Sequence, residues 1–84
     1  MSATIVTIRL NIKKDIDPVT EKKILRLKGS LIAGGFTDII HFDDGDDHYI
    51  NYFSVAAIKK AEAVAHIRKN IEEMALEEFV HLLE

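Results

Sequence analysis

The chain has no cysteine and no tryptophan, and only one proline and four glycines among its 84 residues. The missing cysteine excludes a disulfide framework, thiolate catalysis and cysteine-ligated metal. No apolar run approaches the roughly 20 residues that a membrane span requires, and no charged segment followed by an apolar one opens the sequence as a secretion leader would. A soluble, cytoplasmic protein with no membrane partner is the expectation. Excess charge is lacking too. The formal net charge of −3 argues against a nucleic-acid binder, whose affinity rests on basic residues meeting phosphates. The charge present is unevenly spread: residues 1–37 hold seven Lys or Arg against three acids, and residues 38–84 hold four against eleven. Such polarity steers partners more than it sets a fold.

What remains is an ordinary globular composition, 48% hydrophobic and 30% charged, of a length that suits a single domain over residues 1–84 with a modest core. Residues 36–53, FTDIIHFDDGDDHYINYF, organise it. Two apolar-rich runs flank an acidic turn with one glycine, the pattern of a β-hairpin. Centring the turn on Asp44 and Gly45 pairs Phe42 with Asp47, Ile40 with Tyr49 and Phe36 with Phe53. One face then carries Phe36, Ile40, Phe42, Tyr49 and Phe53. The other carries Thr37, Ile39, His41, His48, Ile50 and Tyr52, with His41 opposite His48.

Residues 4–12 alternate, Val6, Ile8, Leu10 and Ile12 against Ile5, Thr7, Arg9 and Asn11, as a strand with one buried face does. Asp17-Pro18 supplies a helix start, an N-cap acceptor before a proline whose missing N–H costs nothing there. Ile24, Leu27, Leu31 and Ile32 form the apolar stripe of a helix ending near Ala33, with Gly34-Gly35 as its stop and Lys22, Lys23 and Arg26 on the wet side. Gly29 weakens this helix and suggests close packing. Ser54 is an expected N-cap for a second helix, with Ala57, Ala61, Val64, Ile71 and Met74 inward and His66 outward beside Glu62. In the tail, Leu76, Phe79, Val80 and Leu83 lie more than a quarter-turn off the preceding helical stripe at about 100° per residue. Glu77-Glu78 therefore reads as a connector and the end as a fourth strand, a short helix being the alternative.

The order is β-α-β-β-α-β, an α+β, ferredoxin-like sandwich with two helices on one face of a four-stranded antiparallel sheet. The other face is left open, with Ile5, Thr7, Arg9, Ile39, His41, His48, Ile50 and Tyr52 upon it, an apolar patch of the kind that marks interaction surfaces.

No catalytic constellation can be assembled. The acidic turn of Asp43, Asp44, Asp46 and Asp47 is contiguous and lacks the alternating spacing of a calcium loop. It reads as a soluble tip that discourages edge association. Two histidines are not a metal site, since structural zinc takes four ligands and catalytic zinc three and a water. No metal or other cofactor is expected. The function expected is a non-enzymatic interaction or regulatory module with a protein partner, itself as a homodimer being the simplest case. Ile5, Arg9, Ile39, His41, His48, Ile50 and Tyr52 form its contact surface. Two alternatives stand: a dimeric barrel-type enzyme binding a small molecule or metal through His41, His48 and Tyr52, and an acidic binder of a basic or nucleic-acid-binding partner.

Overall fold

A computed structural model describes residues 4–83. Its elements are β1 (Ile5–Lys13), α1 (Pro18–Ala33), β2 (His41–Asp44), β3 (His48–Ala56), a 3-10 turn (Ala57–Lys59), α2 (Lys60–Glu73) and β4 (Val80–Leu83). The strands form one antiparallel sheet in the order β2-β3-β1-β4, so the expected ferredoxin-like sandwich is the fold. The tail is a strand through Leu83; Glu84 lies outside the described residues. No helix among the described residues is long and apolar enough to cross a membrane.

One core joins both helices to one side of the sheet. Ile24, Leu27 and Leu31 of α1 and Ala63, Ile67 and Ile71 of α2 pack with Ile8, Leu10, Ile12, Phe53, Val55 and Val80. The strand contributors on β1 are the even-numbered residues that alternation assigns to the buried face. Ile32, expected inside, is exposed. The second helix starts later than expected because β3 runs on to Ala56, where Val55 is buried across from Val6. Ser54 is therefore a strand residue, not a cap, and Ala61 faces solvent while Ala63 and Ile67 turn inward. His66 is likewise not on the outer side. It hydrogen-bonds Ser30 Oγ at 2.8 Å and lies 5.3 Å from the Phe36 ring, in the seam between the helices. Lys23 also leaves the wet side, its Nζ donating to the Met74 carbonyl at 3.2 Å.

Both helices stop in the same way. After α1, Gly35 adopts φ +78°, its N–H donates to the Ile32 carbonyl and the Phe36 N–H to the Leu31 carbonyl. After α2, Ala75 adopts φ +54°, with donation from Ala75 N–H to Glu72 and from Leu76 N–H to Ile71. These are paired Schellman closures, one with the glycine that left-handed backbone favours and one without it. Leu76, sealed under the second closure, redirects the chain into β4. At the other end of α1, Asp17 Oδ1 accepts from the Thr20 N–H at 3.1 Å with Pro18 following, as expected.

Gly29 is not a packing glycine: a Cβ built there meets nothing within 4 Å. Gly29→Ala should therefore stabilise the protein by about 0.5–1 kcal/mol. Ala75→Gly should add a similar amount, about 0.5–1 kcal/mol, by relieving left-handed strain. Urea unfolding of the two single variants and the double variant checks both, and near-additivity is expected from sites on different elements.

Donation from Thr20, by its side chain first and its backbone N–H second, holds the Asp17 carboxyl below its ordinary 3.8. A depressed carboxyl contributes stability that is present above the unfolded value and is lost as pH falls through the folded one. Asp17→Asn still caps but does not titrate. The stability gap between wild type and this variant should be flat near neutrality and should close below about pH 3.8; parallel thermal melts of the two proteins across that range would sink the assignment.

Candidate functional site

The face of the sheet away from the helices is built on a short grid. Two rungs cross all four strands: His41, Tyr52, Arg9 and Leu83 in one, and Asp43, Ile50, Asn11 and His81 in the next. Because side chains alternate, all eight project to the side opposite the core. The His41 and Tyr52 rings stack with centroids 5.3 Å apart. Arg9 follows Tyr52 in the same rung, and Ile50 and Asn11 are half-buried by their neighbours alone. Asn11 Oδ1 is sealed from solvent without a hydrogen-bond partner.

Beyond Arg9 the sheet narrows. β4 pairs only with Arg9–Ile12 and β2 only with Tyr49–Tyr52, whereas β1 and β3 continue together through Ile5↔Ala56. Residues 5–8 and 53–56 thus form a two-stranded ribbon, covered by helix on one face. Among the described residues no strand pairs with its β1 edge. Lys13 N–H donates outward to the Phe79 carbonyl and the Thr4 carbonyl accepts inward from Ala57, so by alternation the main-chain groups of Thr7 and Ile5 aim away from β3. Ile5 is 64% exposed there.

The sequence-predicted residues are only partly brought together. Ile5, Arg9, His41, His48, Ile50 and Tyr52 do lie on the open face. Ile39 does not belong to a strand; it is an exposed residue of the segment before β2, as Phe36 and Ile40 are half-buried residues of it. The hairpin register differs from expectation as well. Asp44 pairs with Tyr49 and the loop spans residues 45–47, which slides the partner of His41 from His48 to Tyr52. His48 instead pairs with Lys13 of β1, four residues along β3 from Tyr52, or about 13 Å at strand rise. His41 and His48 cannot share an ion at that separation. Among the described residues no group of three or more His, Asp or Glu is placed to hold a metal.

The acidic turn is tethered rather than free. Lys14 forms an ion pair with Asp44, its ammonium lies 4.9 Å from the Tyr49 ring centre, and its N–H donates to the Asp47 carbonyl at 3.1 Å. Hydrogen bonding to Asp44 holds the Lys14 ammonium's pKa above its ordinary value, against a smaller opposing effect of desolvation. The Asp47 carboxylate in turn meets His48 Nδ1 at 2.7 Å. Asp43 and Asp46 are the two turn carboxylates with no ion pair or hydrogen bond among the described residues, Asp46 acting on Lys14 only through weaker charge attraction. Alternation puts Asn11 on the Arg9 side of β1, though outside the expected contact set; His81 and Leu83 join this face only through the β1–β4 register, a contact between opposite ends of the chain.

No family model and no curated protein sequence matches the chain. Among solved structures it is similar to one described as the crystal structure of aspartokinase alpha and beta subunits, with a TM-score of 0.50 and 13% sequence identity over 88% of this chain and 51% of that one. At that identity the likeness supports the fold alone, and the chain spans about half the length of the one it matches.

The tether makes the turn aspartates unequal. Asp44→Asn should shift the amide resonances of Lys14 and Tyr49 and lower the melting temperature, whereas Asp46→Asn, which acts on Lys14 only by weaker charge attraction, should change both far less. Equal responses in a ¹⁵N correlation spectrum would show that the Lys14 pair does not hold the loop.

Proposed function

We propose that the chain is a non-catalytic interaction or regulatory module that works through the open sheet face and the free edge of the β1–β3 ribbon, with a second copy of itself as the simplest partner. The observation that carries this reading is the ribbon. Two strands that should be marginal alone project past their neighbours with one face and the β1 edge uncovered among the described residues, and that edge offers main-chain donors and acceptors to an added strand. Ile5, Ile50, Tyr52 and Leu83 supply apolar area beside it, and Arg9, His41 and His81 supply a polar margin.

The enzyme alternative loses its residue set, since His48 stands away from His41 and Tyr52. The acidic-binder alternative keeps only Asp43 and Asp46 as unpaired turn charges.

Light-scattering chromatography at two protein and two salt concentrations tests the proposal. A dimer insensitive to salt is expected, because strand pairing and apolar burial are screened little. Ile50→Asp and Ile5→Asp should shift it to monomer with the far-UV spectrum unchanged. A chain that stays monomeric at high concentration, and whose Ile50→Asp variant retains every partner of the wild type, would be incompatible with it.

A further inference from the structure

On the helix side of the sheet, opposite the surface discussed above, the hairpin end extends past the reach of α1. Phe42 belongs to the core-facing side of β2 yet is 61% exposed, and its ring meets Tyr49 edge-on with centroids 5.6 Å apart. The gap between this aromatic pair and α1 is a cleft of about 360 Å³, within the lower range of small-molecule sites. Ile12 and Ile24 form apolar parts of its wall, and Lys14, Lys28 and Asn51 bring polar groups to it.

Two of these polar groups have no structural use. Asn51 is 2% exposed, its Oδ1 is sealed without a partner, and its carboxamide makes no hydrogen bond among the described residues. It occupies a core-facing position between Tyr49 and Phe53, paired with Leu10, where an apolar residue would continue the packing. A buried, unpaired amide costs stability. Lys28 is half-buried on α1 and pairs with no carboxylate among the described residues; Glu21 is the one acid lining the cleft. Burial pushes the Lys28 ammonium's pKa down from 10.5. Lys14 is already committed to Asp44. The polar groups of the cleft left uncommitted are thus the Lys28 ammonium and the Asn51 amide, with Glu21 and Lys13 also in its lining, above an aromatic and aliphatic floor.

We propose that this cleft binds a small organic carboxylate with an apolar body, the carboxylate accepting from Lys28 Nζ and from the Asn51 amide and the body lying against Phe42 and Tyr49. The Asn51 amide nitrogen, unlike its sealed Oδ1, is left free to donate. A charged acceptor suits Lys28, whose hydrogen bond to a carboxylate gains from partial burial. The site lies across the sheet from the surface assigned to protein contact, so it stands or falls independently of that assignment.

The test is an amide chemical-shift titration of the full chain with 3-phenylpropanoate and, as its uncharged counterpart, 3-phenylpropanamide. Saturable shifts at Lys28, Tyr49 and Asn51 with a Kd of about 1 mM or tighter are expected for the acid, with binding about tenfold or more weaker for the amide. Lys28→Met should weaken the acid about tenfold or more. Asn51→Leu should abolish binding while raising the melting temperature, because it removes an unpaired polar group from the core. No saturation by the acid, equal affinity for both probes, or unchanged affinity in Lys28→Met overturns the proposal. So does an Asn51→Leu protein that binds as well as wild type or that melts lower, since the amide would then be structural.

Discussion

The nine-rung antiparallel pairing of β1 with β3 is the constraint on which every other position depends. It places Leu10 and Phe53 on the covered side, and it fixes the lines along which β2 and β4 can add. Those outer strands are only four residues each and both join at the same end. The result is a sheet of uneven width, four strands broad around Asn11 and Ile50 and two strands broad around Thr7 and Ser54. The helices follow from the same ladder. With one apolar face to cover, α1 and α2 must share it, and they meet through His66, Ser30 and the Lys23 contact to the end of α2.

The two faces consequently differ in what they can recognise. The open face offers breadth, main-chain hydrogen bonding and scattered apolar side chains, which suits another polypeptide. The covered face offers depth in the cleft between α1 and the hairpin, which Lys28 and Asn51 both line. Lys14 serves both by holding the loop at residues 45–47 against the end of β1.

Local pattern made much of this legible. Strict alternation exposed the buried set of β1, Asp17-Pro18 and Gly34-Gly35 bracketed α1 to within a residue, and the phase break after Met74 separated β4 from α2. The hairpin faces could be read because parity survives any even slide, but the register could not: it is decided by Lys14, 30 residues before Asp44 in the chain, gripping a loop that looks from its own residues like a tighter turn. The start of α2 was hidden for a related reason. Val55 and Ala56 suit a helix or a strand, and only the length of β1 opposite them decides for strand. Ala75 carried no stop signal, since alanine at a left-handed position is held there by Leu76 burying itself beyond it. The cleft was invisible because an asparagine between Tyr49 and Phe53 declares nothing until its neighbours are known to be core.

The narrow end of the sheet has a further meaning for the life of the molecule. An unpaired strand edge does not distinguish a proper partner from a chance one, and residues 5–8 hold no proline or lysine to repel a newcomer. Whatever occupies that edge also shields it. Left uncovered, such an edge would draw other chains into pairing in a concentration-dependent way.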